Sequence, residues 1–220
     1  MFDLDSLRPL VATSLLALYL PVPFYMIWIH AFGRVWKKMG PASYAIHWTL
    51  YIVTVAAVVL CHRVWVWRAW PWPAWISWTG LFSLAIAAWL AYRTYATIPA
   101  KTLLTFRQIR PDGDRRLIRD GILGTIRHPR YVMFTLLSLG NLLITGYPLV
   151  LVSLAVTIVV FAAVIRLEEN ELREYFGEEF EEYRRAVPAF FPRMTGRSPR
   201  GRRKTAQRFP RPTPPRDRLQ

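Results

Sequence analysis

Long uninterrupted apolar runs constrain this chain more than any other feature. A helix that crosses a bilayer needs about 20 mostly apolar residues. Residues 11–32, 43–61 and 75–95 are runs of that kind, and residues 131–145 and 148–167 follow as a close pair separated only by Gly146 and Tyr147. Hydrophobic residues make up 53% of the 220 positions, and they are gathered into these runs. The pattern predicts an all-α polytopic membrane bundle of about five transmembrane helices that ends in a helical hairpin. Pro21 and Pro23 fall inside the first run and predict a kink there. The fourth run spans only about 23 Å at 1.5 Å per residue. It therefore either begins before Tyr131 or stops short of a full crossing.

Charge gives the expected orientation. The chain carries a net charge of +15, and its Lys and Arg cluster at 34–38, 101–130 and 193–218, each cluster flanking an apolar run. The loop after the second run has only Arg63 and Arg68, and the turn at Gly146 has no cation. The positive-inside rule then places the N-terminus outside and the C-terminus in the cytoplasm. No aromatic-plus-basic module accompanies the charge, so nucleic acid is not the expected partner. The tail, 193–220, is basic and Pro-rich, lacks apolar periodicity and is expected to be disordered, with anionic lipid head groups as its contact. Cys61 is the single cysteine, which excludes an internal disulfide or a zinc cluster. Asp3 and Asp5 precede the first run where a signal peptide would carry a basic region, so that run reads as a spanning helix. The tryptophans between Trp65 and Trp78 suit a bilayer interface.

Two segments are not explained by membrane packing. In the first, 117–131, Gly121 and Gly124 permit a tight turn and close approach of a ligand to backbone. Pro129 suits the first turn of a helix, which sets Arg127 and His128 at the helix entrance. Free N–H groups and the helix dipole favour a carboxylate there, and Arg127 can add a bidentate clamp. The same residues also suit simpler roles, Arg127 and Arg130 as interfacial anchors and His128 as a cap. The second segment is 166–192. Glu168 and Glu169 stand at the cytoplasmic end of an apolar run, against both the helix dipole and an anionic leaflet. Carboxylates in that setting can receive hydrogen bonds from ribose hydroxyls or an amino group. Leu172, Phe176, Phe180 and Tyr183 recur at helical spacing and read as packing, with Gly177 breaking the helix.

Together these residues carry a resemblance. Arg127-His128-Pro129-x-Tyr131, then Glu168-Glu169, then Phe176-Gly177-Glu178-Glu179-Phe180 and Val187-Pro188 resemble the isoprenylcysteine carboxyl methyltransferase family. They are also similar to the phospholipid N-methyltransferases. The match covers about 117–192 and departs from the usual pattern at Leu123 and at Val132-Met133. The resemblance implies S-adenosylmethionine as cofactor, with Gly121, His128, Tyr131, Glu168 and Glu169 binding it in cytoplasmic segments. It implies Arg127 and His128 as the catalytic pair, with Arg127 orienting an acceptor carboxylate. It also implies a lipid-like or prenylated acceptor that enters from the bilayer. Residues 1–98 are then a three-span scaffold, 99–192 the methyltransferase-like core and 193–220 the tail. A sterol-reductase-like enzyme using NADPH, with a similar Arg-His-Pro-x-Tyr element, and a non-catalytic protein of the same fold are the competing expectations.

Overall fold

The computed structural model describes residues 4–40, 42–98 and 117–193. The basic loop at 101–116 and the tail from 194 onward, expected to be disordered, lie outside the described residues. The described chain is helical, without a strand: α1 (Leu4–Tyr19), α2 (Pro21–Ala31), α3 (Gly33–Met39), α4 (Ala42–Leu60), α5 (His62–Trp65), α6 (Ala74–Thr97), a 3-10 turn (Gly121–Gly124), α7 (Pro129–Thr145), α8 (Pro148–Phe176) and α9 (Glu178–Ala186).

Four helical stretches among the described residues are long and apolar enough to cross a bilayer: Leu7–Ala31, Ala42–Leu60, Ala74–Thr97 and Pro148–Phe176. The first joins α1 and α2, and the helix breaks at Leu20, just before Pro21. A proline lacks the N–H that would continue the ladder, which accounts for the break. The expected fourth span, 131–145, is α7, which has 17 residues and is not among the four. At about 25 Å it falls short of the about 30 Å hydrocarbon core. Its sequence explains the difference: Ser138, Gly140, Asn141 and Thr145 are buried within it. These residues suit contact with other helices rather than with lipid.

The packing around α7 bears this out. Gly80 of α6 meets Gly140 of α7 so closely that a Cβ on Gly80 would stand 3.0 Å from the Gly140 carbonyl oxygen. A Cβ on Gly140 would lie 2.5 Å from Leu84. Ser83 Oγ donates to the Leu136 carbonyl at 2.8 Å. Nearer the other end, Ala87 and Leu90 cluster with Met133. These pairs fix α6 and α7 side by side in opposite directions, the small residues letting the backbones approach. On the other flank, Tyr131 stacks on Phe161 of α8 with ring centres 4.8 Å apart, while Leu142 shares a cluster with Val150 and Leu154. Asn141 ties in α1, its Nδ2 donating to the Ala12 carbonyl at 3.2 Å and lying 3.3 Å from the Tyr19 hydroxyl. α7 is thus the centre of the bundle, and α4 is its rim, with Ile46, Trp48, Ile52, Val53 and Leu60 exposed.

The two ends of the bundle differ. At one end α7 stops at Gly146, which adopts φ +69°, and a Cβ there would strike the Trp72 ring at 2.4 Å. The Trp70 N–H donates to the Gly146 carbonyl at 2.8 Å, so the Trp-rich segment lies over the α7–α8 turn. Trp67, Trp75 and Trp78 are exposed around it, as suits a bilayer interface. The opposite end gathers the last turns of α2 and α6, the start of α7 and the polar end of α8. α8 runs nine residues past the expected limit of its apolar run, to Phe176, where Gly177 turns the chain at φ +55° into α9.

Candidate active site

The site is built at that polar end. Residues 117–128 approach α7 as an irregular loop with one 3-10 turn, and α9 lies beneath it. Leu117, Phe180, Tyr183 and Val187 form a buried cluster, with Leu172 and Phe176 packed against it, which is the apolar face expected from their spacing. The Tyr183 hydroxyl donates to the Leu123 carbonyl at 2.7 Å, and Arg119 reaches Glu179 at 2.9 Å. Burial pushes the Tyr183 phenol up to about 12, so it stays a neutral donor. The hydrogen bond from Arg173 lowers the pKa of Glu181 on the outer side of α9.

After α9 the chain turns back across the loop. The Pro188 carbonyl accepts the Arg127 N–H at 2.9 Å and the Ala189 carbonyl accepts the His128 N–H at 3.0 Å. This gives the Val187-Pro188 segment its structural role: it satisfies the backbone donors that precede α7. Arg127 completes the seam. Its Nε and NH2 donate to Glu169 Oε1 at 3.1 and 2.7 Å, and its NH1 donates to the carbonyls of Arg184 and Val187. Both members of the Arg127–Glu169 pair are largely buried, at 10% and 14% exposure.

His128 lies between two carboxylates. Its Nε2 is 2.9 Å from Glu169 Oε1, and its Nδ1 is 3.7 Å from Glu168 Oε2. Tyr131, one turn into α7, donates its hydroxyl to Glu168 Oε2 at 2.7 Å. Five sequence-derived residues, Arg127, His128, Tyr131, Glu168 and Glu169, therefore converge from two distant stretches of chain. Gly121 does not join them. It adopts φ +57°, and a Cβ there would lie 2.4 Å from Thr97 Oγ1, so its part is to let the loop pass the end of α6. The expectation for Arg127 also changes. With its nitrogens bound to Glu169 and two carbonyls, it acts as a strut between loop, α8 and α9 rather than a free cation facing an acceptor.

A cavity of about 210 Å³ opens beside these residues. His128, Tyr131 and Glu168 form its polar wall; Met26, Ile29, Ile98 and Leu172 line its apolar side. The range usual for drug-sized ligands is about 300–1,000 Å³, so the enclosed part holds a portion of such a ligand. Sequence reasoning missed His30. It lines the cavity from α2, and its Nδ1 lies 3.2 Å from Glu171 Oε1 on α8. No motif marks it, because one histidine in an apolar run has no distinguishing neighbour. The helical offset of Glu171 from Glu168 was the available signal, since residues three apart share a face.

Residues 75–179 match the family model described as phospholipid methyltransferase. This segment is similar to that family. It starts at α6 and ends in α9, and it includes Arg127, His128, Tyr131, Glu168 and Glu169. Among curated relatives, the chain is similar to a protein-S-isoprenylcysteine O-methyltransferase of Schizosaccharomyces pombe, 36% identical over 80 residues, covering 36% of this chain and 34% of the relative. It is 31% identical over 86 residues to protein-S-isoprenylcysteine O-methyltransferase B of Arabidopsis thaliana, covering 39% of this chain and 44% of the relative. It is 35% identical over 82 residues to the Homo sapiens protein-S-isoprenylcysteine O-methyltransferase, covering 36% and 28%. The chain thus spans less than half the length of the relatives it matches. No solved structure gives a significant match.

The strut makes a local prediction. Arg127→Ala leaves Glu169 with only His128 and frees two carbonyls, a loss of about 3 kcal/mol for a desolvated pair. Amide hydrogen exchange at 127–128 and 187–190 should accelerate about a hundredfold, while α6 and α7 exchange as in the unaltered protein. Unchanged protection at 127–128 would show that the strut does not hold the loop.

Proposed function

We propose that the chain is an integral membrane methyltransferase that uses S-adenosylmethionine and acts on a lipid-like or small apolar acceptor, most like the protein-S-isoprenylcysteine O-methyltransferases. One observation carries the reading: His128, Tyr131 and Glu168 meet at one cavity that Met26, Ile29, Ile98 and Leu172 also line. The donor set fits the cofactor. Glu168 offers carboxylate oxygens to an amino group or ribose hydroxyl, and Glu169 orients His128 from behind.

The chemistry supplied by the donor is a methyl group on a sulfonium, transferred by direct displacement. The chain's own residues have little bond-making to assist, and their work is alignment and the exclusion of water. Met26, Ile29 and Leu172 keep that side of the cavity apolar, and the strut fixes His128 and Glu169 in place. A phospholipid amine is the second reading, favoured by the family model that 75–179 matches. It requires removal of a proton from the nucleophile, and His30, engaged by Glu171 at the cavity wall, is the residue in position to take part.

Binding to the detergent-purified full chain tests the cofactor assignment. S-adenosylhomocysteine should bind and NADPH should not. Glu168→Gln should weaken S-adenosylhomocysteine at least about tenfold, the order expected for hydrogen bonds to a charged group. Binding of NADPH without response to S-adenosylhomocysteine would overturn the reading in favour of a reductase.

The orientation is part of the same proposal. The exposed Lys38 and the chain leading into 101–116 lie at the site end, and Cys61 follows α4 at the Trp-rich end. The positive-inside rule supports a cytoplasmic site. Cys61 is free and exposed. In sealed right-side-out vesicles it should react with a membrane-impermeant maleimide, while Lys38→Cys in a Cys61→Ser background should not. The reverse labelling pattern would invert the topology.

A further inference from the structure

The α6–α7 wall of the cavity holds two polar groups that the proposed donor contacts leave unused. Thr94 of α6 lines the cavity and is 0% exposed, and its Oγ1 has no hydrogen-bond partner among the described residues. A buried hydroxyl left without a partner destabilises the structure that holds it. At the wall of a cavity, such a group marks where a ligand's polar atom belongs. The second group is Arg130, the second residue of α7, half-buried and also lining the cavity. Its guanidinium lies 5.7 Å from the centre of the Tyr131 ring and feels the charge of Glu168, but no salt bridge pins it to a carboxylate among the described residues. In this it differs from Arg127, whose donors are taken by Glu169 and two carbonyls.

The two residues belong together by register. Gly80 faces Ile144 and Gly140 faces Leu84 across the α6–α7 contact. Continuing that antiparallel register brings Thr94 opposite Arg130. The first-turn N–H groups of α7 and its dipole add positive character at the same place. On its outer side α6 exposes Trp89, Tyr92 and Tyr95, so this wall is one helix thick from the lipid.

We infer that Arg130 and Thr94 hold the anionic group of the methyl acceptor, a carboxylate or a phosphate carried on an apolar chain. The inference rests on the methyltransferase reading. Arg130 supplies charge-assisted donors and Thr94 a hydroxyl donor, while the neighbouring Glu168 serves the methyl donor. The role that the resemblance gives to Arg127 passes to the arginine three residues later.

Equilibrium binding to the detergent-purified full chain, saturated with S-adenosylhomocysteine, tests this. The probes are N-acetyl-S-farnesylcysteine against its carboxamide, and a lysophosphatidic acid against the matching monoacylglycerol. The unaltered chain should prefer the anion of at least one pair about tenfold. The pair preferred tells carboxylate from phosphate. Arg130→Ala should abolish the preference and leave S-adenosylhomocysteine affinity within about twofold, while Arg130→Lys should retain part of it. Thr94→Val removes only a hydroxyl and should reduce the preference a few-fold, which keeps the test available if Arg130→Ala does not fold. No preference in the unaltered chain, or a full preference in Arg130→Ala, would overturn the inference. So would a joint loss of S-adenosylhomocysteine binding in Arg130→Ala, because Arg130 would then hold the donor's own carboxylate. Failure of the unaltered chain to bind S-adenosylhomocysteine would instead overturn the methyltransferase reading itself.

Discussion

The Arg127–Glu169 pair is the interaction on which the rest of the site depends. It joins the loop before α7 to the polar end of α8, and through the Arg184 and Val187 carbonyls it joins both to the chain leaving α9. A pair so little exposed is costly to assemble, because both charges leave water. Here the cost is offset by geometry: one guanidinium satisfies a carboxylate and two backbone carbonyls, and the same carboxylate oxygen meets His128. With that seam closed, His128 and Glu168 have one relative position, and the cavity has a fixed polar wall. Without it the loop, α8 and α9 keep the Tyr183–Leu123, Arg119–Glu179 and Arg173–Glu181 contacts, the two backbone bonds to 188 and 189 and a small apolar cluster.

The membrane helices make the seam possible by fixing α7. Gly80 and Gly140 bring α6 and α7 into backbone contact, and Asn141 ties α7 to α1. With α7 held on several sides, its N-terminus and the residues just before it are carried to one defined point. The N-terminal helices contribute directly as well, since Met26, Ile29 and His30 line the cavity although they lie outside the family match. Scaffold and site are therefore not separable along the chain: α2 helps to shape the pocket that the later motifs make polar.

Much of this was legible in the sequence, for physical reasons that also explain the rest. Apolar runs of spanning length announce themselves, because a bilayer has a fixed thickness. Four of the expected spans lie on the four stretches long enough to cross. α7 was harder: its run is apolar enough to suggest a span, but Ser138, Gly140, Asn141 and Thr145 mark it as a helix sheathed by others. The Arg-His-Pro-x-Tyr and Glu-Glu elements were visible as residues set against their local preferences, and they do meet in space. The role of Arg127 was not legible, since the carbonyls that occupy it come from 184 and 187, brought near only by the turn at Gly177. Gly121, expected at the cofactor, lies beside Thr97 and does not line the cavity. His30 and Thr94 sit in apolar helices, where one polar residue has no pattern until the neighbouring helix is known.

In the proposed function, the Glu168 face of this cavity positions a methyl donor against an acceptor from the bilayer. Membranes containing the full chain, incubated with S-adenosylmethionine labelled on its methyl group, test it most directly. The account predicts label in an apolar, solvent-extractable acceptor, and a drop of at least about tenfold with Glu168→Gln, the order set by losing charge-assisted hydrogen bonds. Label that never leaves the donor, or equal transfer by Glu168→Gln and the unaltered chain, would contradict it.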